Sequence, residues 1–351
     1  MSLKSYIEAM PKAELHVHLE GAILPETVLF LAERNKVKLP ADTVEGLQKL
    51  YEFVDFPHFV TVFNMVISCL QKPEDYIDVV IRFGQEMARQ HIRYAEVTWS
   101  PQSHVWRGIP FSVLLEALNE GRAKAKHSYG VELRWIPDIV RSWPDATDDF
   151  HEEAARWISS DEALAGGVVA LGLGGFEVGY PPERFEVPFR LARERGLPGN
   201  PHAGETEGAA SVWGAIRSLK ARRIGHGVRA VEDPALVKYL AEQKIPLEVN
   251  PTSNLCLKVY PSYTEHPLKK LVEAGCIVTI NSDDPPLFNT TLTDEYLHAV
   301  EDCGLTLEQL ENAVLNAVRY SYLPEASKVG LVAAFEADFA TLRRQHQNSL
   351  F

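Results

Sequence analysis

The residue pattern of this chain predicts an α/β fold, a (β/α)8 TIM barrel with extra helices after the first strand and at the C-terminus. Three observations lead there. Short runs rich in Val and Ile alternate eight times with longer amphipathic segments, as βα units around a parallel sheet do. Several of the amphipathic segments end in Gly or a basic residue, as helix ends should. A barrel of this kind needs about 250 residues, so a chain of 351 has room for insertions.

The predicted strands are 13–19 (AELHVHL), 92–99 (IRYAEVTW), 131–138 (VELRWIPD), 168–174 (VVALGLG), 197–203 (LPGNPHA), 223–227 (RIGHG), 246–250 (PLEVN) and 277–282 (IVTINS). The fifth rests on position, because Pro198, Gly199 and Pro201 are poor strand residues. Helical patterns lie between them, for example PETVLFLAERNKV with Pro25 in its first turn, and DPALVKYLAEQ. The segment from about 40 to 90 reads as extra helices. Its apolar and aromatic run LQKLYEFVDFPHFVTVFNMVISCL suits a lid or pocket wall, the alternative being a cover for the barrel side. Further helices are predicted from about 294 to Phe351. With no linker, low-complexity tract or longer repeat, residues 1–351 are expected to form a single domain.

Composition narrows the function. The chain is 46% hydrophobic and 24% charged, with a net charge of −13. Its Lys and Arg are scattered, which leaves no electrostatic footprint for nucleic acid or anionic lipid. The four cysteines, Cys69, Cys256, Cys276 and Cys303, form no C-x-x-C pair, against both a disulfide framework and a thiolate zinc site. There is no secretory apolar region and no run of the roughly 18 apolar residues that a membrane span needs. A cytoplasmic protein with a small neutral or cationic ligand is expected.

In such a barrel the C-terminal ends of the strands face one active site. Along the first strand, alternation places His16 and His18 on one face. The fifth strand ends in HAGE with His202 and Glu205, the sixth in GHG with His226, and the eighth in NSDDPP with Asp283 and Asp284. Each motif alone has a bland reading, a capped loop or a turn; together they converge on one mouth. Imidazole and carboxylate ligands suit Zn2+, and His16, His18, His202 and Asp283 would supply a catalytic shell with one position left open. A bound divalent ion lowers the pKa of its water toward 7. Asp283 and His226 are placed to accept and orient that water's proton, with Glu205 as general acid. His91, His104, His127, His151, His266, His298 and His346 fall outside the pattern and read as ordinary surface or core residues, with His58 a candidate lid member.

The motifs MPKAELHVHLEGAILPE, HAGE, RIGHGVRAVED, PTSN and INSDDP, in order from about residue 7 to 325, resemble the adenosine and adenine deaminase family of the amidohydrolase superfamily. The resemblance implies hydrolytic deamination at C6 of an adenine ring with one zinc per chain. In its terms His16, His18, His202 and Asp283 are the metal ligands; Glu205 protonates ring N1; His226 orients the attacking hydroxide; and Asp284 meets N7. Gly175 offers its amide to N3, and His18 and Glu20 complete the expected substrate contacts. Other divalent ions suit the same N/O ligands.

Some positions depart from the family pattern. Glu20 stands where the nucleoside enzymes carry the Asp of HLDG, which meets the ribose 5′-hydroxyl; Glu is the adenine deaminase residue. RIGHG and PTSN are similar to the nucleoside enzymes, whereas Gly172 and Phe176 replace acids of their DLAGDE motif, and EVGYPP leans toward the adenine group. Asn250 replaces the cysteine usual before P-x-S-N and receives no role from the sequence. The expected substrate is therefore an adenine-containing nucleoside: adenosine, 2′-deoxyadenosine or a 5′-modified relative such as aminodeoxyfutalosine. Free adenine, a catalytically silent purine-binding homologue, and hydrolysis of another amide or amidine bond are the alternatives.

Overall fold

The structure is a computed structural model that describes residues 2–142 and 147–348. Its eight strands are all parallel and lie in sequence order: β1 (Lys12–His18), β2 (Ile92–Trp99), β3 (Glu132–Val140), β4 (Leu171–Gly174), β5 (Gly199–Ala203), β6 (Ile224–His226), β7 (Leu247–Val249) and β8 (Val278–Ile280). Helices connect them, which gives the (β/α)8 barrel. Every predicted strand forms. β4 is shorter than its apolar run: Val168 makes only an isolated bridge to Trp135, because the chain turns at Gly167, φ +90°. β5 forms despite Pro201, with Gly199 bare where a Cβ would come within 2.8 Å of the Phe189 ring.

The barrel closes at one place. β1 meets the segment that follows β8 through a bridge between Val17 and Asp283. There the His18 N–H donates to the Asp283 carbonyl at 2.8 Å, and the Asp283 N–H donates to the His16 carbonyl at 3.1 Å. Lower on the seam, the Leu15 N–H donates to Asn281 Oδ1 at 2.9 Å. Backbone N–H and C=O groups buried from water must be paired, and here the pairing falls on three residues expected to carry the chemistry.

Between β1 and β2 lie the helices α1 (Pro25–Asn35), α2 (Val44–Leu50), α3 (Phe56–Ser68) and α4 (Pro73–Arg89). Asp55 caps α3 by accepting the His58 N–H at 2.8 Å, and Pro57 sits in its first turn. The two readings of this segment divide between its helices. α4 covers the barrel side, packed on the helix Phe111–Tyr129 through close approaches at Gly84 and Gly121. α3 instead turns an aromatic side to the barrel mouth, with Phe59 stacked on Phe288 at 5.4 Å. After β8 come the helices Leu292–Glu301, Leu307–Arg319 and Glu325–Asn348. The predicted extension to Phe351 and the side chain of His346 lie outside the described residues.

The barrel interior is charged. Lys12, Glu14, His16 and His18 occupy alternate positions of β1 and all are buried. Below the histidines, Arg223 from the start of the β6 segment donates to Glu96 and, at 2.6 Å, to Glu248. It also donates to the Tyr320 carbonyl at 2.9 Å and lies 4.0 Å from the centroid of the Tyr322 ring. Removing one partner of a buried ion pair strands the other charge at a cost of about 3–5 kcal/mol. Arg223→Met is therefore expected to lower the unfolding free energy by about that amount, read from urea denaturation; a loss under about 1 kcal/mol would show that Glu96 and Glu248 do not need it.

Candidate active site

At the mouth, four side chains from three strand ends point at one spot. His18 Nε2 lies 3.1 Å from His202 Nε2 and 3.3 Å from Asp283 Oδ1, and His16 Nε2 lies 3.4 Å from the same oxygen. Ligand atoms about 2.0–2.2 Å from a tetrahedral zinc stand about 3.4 Å from one another, so the edges of this cluster have the right length. His226 also reaches in: its ligating atom and those of His16, His202 and Asp283 all fall within 4.8 Å of one another.

The electrostatics agree with a cation there. Burial and neighbouring imidazoles depress the His202 pKa well below the ordinary value, and burial depresses that of His18, so both rings offer lone pairs. The two Nε2 atoms stand 3.1 Å apart, and a cation beside them could draw a lone pair from each neutral ring. His16 answers differently: burial opposes a charge on it, but the neighbouring carboxylates of Asp283 and Glu248 raise it to about 10. Its Nδ1–H donates to Glu248 Oε2 at 3.0 Å, while Nε2 is buried with no hydrogen-bond partner. An imidazole held by a carboxylate on its far nitrogen is the usual second shell of a metal-ligating histidine. The residues present therefore fit a divalent metal ion.

Asp283 and His226 both adopt left-handed backbone, with φ of 63° and 59°. Such strain persists only where the surroundings impose it, and at Asp283 the barrel seam does so. Asp283 Oδ2 faces His226 Nε2 at 3.7 Å, and Glu205 Oε2 lies 3.8 Å from that nitrogen. Burial, then the nearby charges of Asp283 and Glu177, push the Glu205 carboxyl well above the ordinary range. The shift favours its protonated form. The loop that carries it is gathered on one carboxylate: Glu177 accepts the backbone N–H groups of Gly204, Glu205, Thr206 and Glu207 at 2.6 to 3.1 Å.

A cavity of about 480 Å3 opens onto the cluster, inside the range of small-ligand sites. Phe56, Phe59, Val60, Phe63 and Ile67 of α3 form one wall, with Phe176 and Gly175 after β4 among the other lining residues. Among the described residues lining it there is no Lys or Arg. Asp284 lines it too; burial and the charge of Asp283 raise its carboxyl well above the ordinary range. Its Oδ1 leaves no room for a side chain at residue 21, where a Cβ would come within 1.6 Å, so Gly21 is required.

Glu20 is placed behind this cavity rather than along it. It is 1% exposed, and its Oε1 accepts the Ser100 N–H at 2.9 Å and faces His104 Nε2 at 3.0 Å. Ser100 Oγ in turn donates at 2.7 Å to Asp138, a cavity-lining carboxylate that residue patterns had not singled out. His104 is a core residue, as expected, and also the clamp on Glu20. His58 sits at the start of α3 with its ring nitrogen accepting the Val54 N–H at 3.4 Å, away from the cavity lining. Glu177, Glu248, Ser100 and Asp138 escaped the sequence reading. The one local signal was an acid at the C-terminal end of a strand, in DIV and FEVG.

Comparisons with known proteins point the same way. The adenosine deaminase family model matches residues 11–337. An aminodeoxyfutalosine deaminase from Streptomyces avermitilis is 40% identical over 334 residues, covering 95% of this chain and 92% of its own length. An adenine deaminase from Cupriavidus necator is 36% identical over 332 residues, covering 95% and 93%. Among solved structures, an amidohydrolase from Burkholderia ambifaria with bound Zn superposes with a TM-score of 0.89 at 26% identity, over 98% of this chain and 95% of that one.

Losing the carboxylate behind a metal-ligating histidine typically costs about 10–100-fold in metal affinity or activity. Glu248→Gln is expected to weaken binding of Zn2+ by about that factor, measured by competition with a chromogenic chelator; affinity within about 3-fold of the parent would show that His16 needs no such support.

Proposed function

This chain belongs to the adenosine deaminase family, and we propose that it removes the C6 amino group of an adenine nucleoside carrying a bulky 5′ substituent, aminodeoxyfutalosine being the leading candidate. The observation that carries the nucleoside reading is the cavity. At about 480 Å3 it is larger than a bare purine needs, phenylalanines line it, and among the described residues lining it there is no Lys or Arg to meet a 5′-phosphate. The similarity to the aminodeoxyfutalosine deaminase from Streptomyces avermitilis, at 40% identity, supports the same reading.

The residues divide the work. His16, His18, His202 and Asp283 would hold a zinc ion, which supplies a water of lowered pKa at neutral pH. Asp283 Oδ1 faces the ligand histidines while Oδ2 faces His226, so Oδ2 is free to take the proton of the attacking water. Glu205, whose burial favours the protonated form, donates to ring N1 and draws electron density from C6. Asp284, biased the same way by burial, donates to N7, and the Gly175 N–H meets N3. The proton taken by Asp283 then passes to the amino group, the C6–N bond breaks to release ammonia, and the remaining hydroxyl proton restores Glu205 as the C6 carbonyl forms. Glu20 acts at the ribose end through Ser100 and His104, which it holds in place. The second reading, free adenine, is favoured by Glu20 itself and by the 36% identity to an adenine deaminase.

Two measurements test this. Ammonia release is expected to be fastest with aminodeoxyfutalosine or 5′-methylthioadenosine, slower with adenosine and 2′-deoxyadenosine, and least with adenine and AMP; adenine as the best substrate would overturn the nucleoside reading. Glu205→Gln is expected to lower kcat by about 10²–10⁴-fold while one metal per chain is retained, and an unchanged kcat would remove Glu205 from the chemistry.

A further inference from the structure

Four donor nitrogens or oxygens near the metal position belong to His16, His202, His226 and Asp283, and His18 makes a fifth. What separates His226 from the ligands is which of its nitrogens carries the proton. Behind it runs a chain of hydrogen bonds that begins at a backbone amide, a group that cannot reverse its polarity. The Leu268 N–H donates to His266 Nδ1 at 3.2 Å. The neutral His266 ring therefore bears its proton on Nε2, which donates to Asn254 Oδ1 at 3.0 Å. With that oxygen engaged, the Asn254 amide presents its Nδ2–H to His226 Nδ1 at 3.3 Å, and Asn250 Nδ2 donates to the same nitrogen at 3.2 Å. Asn250, Asn254, His266 and His226 are all at most 4% exposed, so no water competes for these bonds.

We infer that Asn250, Asn254 and His266 are positioning residues that hold His226 as the Nε2–H tautomer, making it a hydrogen-bond donor to the reacting water and excluding it from the metal shell. A ligating nitrogen must present a lone pair, and this one presents a proton, so His18 completes the shell instead. A donor at Nε2 cannot also be the base, which leaves proton acceptance to Asp283 Oδ2, 3.7 Å away. Asn250 thereby acquires a purpose: a cysteine there has only a weak S–H donor, whereas the amide gives Nδ1 a second N–H. The catalytic part of this inference rests on the deaminase reading; the tautomer does not.

The test is long-range 15N–1H correlation on the zinc-loaded protein labelled at histidine nitrogens, with His226→Gln and His266→Gln used to assign signals. Both rings are expected as neutral Nε2–H tautomers at neutral pH. Asn254→Asp, which sets an acceptor against Nδ1, is expected to move the proton of His226 to Nδ1 and to lower kcat about 10²–10⁴-fold, with KM within about 3-fold. Asn250→Cys keeps the Asn254 donor and is expected to cost far less. A wild-type His226 signal of the Nδ1–H form overturns the inference whether or not any variant folds, and so does an unchanged tautomer in folded Asn254→Asp. If the tautomer is as stated and no adenine compound releases ammonia, the relay stands and the deaminase reading fails.

Discussion

The barrel is sealed by the backbone of Asp283 lying between His16 and His18, and most of what the site does depends on that seam. Three of the four side chains that gather at this spot belong to residues whose backbone bonds close the sheet. Ligand spacing is thus as rigid as the barrel itself, without a separate loop to hold it. The seam also explains how an aspartate keeps a left-handed backbone, φ 63°, at the centre of the mouth: both its N–H and its C=O are taken by β1, which leaves the peptide no lower-energy alternative.

Burial is the second governing constraint, and it acts with opposite sign on acids and bases. It pushes Glu205 and Asp284 up, which favours the protonated form of two cavity-lining carboxyl groups, and pushes His18 and His202 down, which favours two neutral imidazoles. One physical effect prepares both halves of the reaction. The charges that remain are compensated in series: His16 to Glu248, Glu248 to Arg223, Arg223 to Glu96, with the Tyr94 hydroxyl donating to Glu96 at 2.6 Å. The polar column under the metal position is therefore both a foundation for the fold and the support of His16.

Much of this was legible along the chain because its signals are local. Eight alternations of strand and helix patterns, the two-residue spacing of His16 and His18, and the strand-end placement of His202, His226 and Asp283 all follow from short-range periodicity. The supports were not legible, since their partners are remote. Glu248 lies 232 positions from His16, and His104 lies 84 from Glu20; an acid or an imidazole buried by such contacts looks, in sequence, like any other core residue. Asn250 is the sharpest case: a departure from the family pattern with no meaning until the His226 ring is found beside it. The segment from 40 to 90 shows the same limit, because apolar content cannot distinguish a helix that lines a cavity, as α3 does, from one that covers a sheet, as α4 does.

Residue type and order thus decided the barrel and the reaction class, and brought the candidate ligands together, because ring nitrogens and carboxylates at strand ends can meet in only one place once the strands close. Tertiary structure alone decided the burial and the partners that bias where their protons sit. Protonation depends on desolvation and on through-space partners, such as the backbone amide of Leu268 three bonds removed from His226 along the hydrogen-bond chain, and neither is written in the neighbourhood of any single residue.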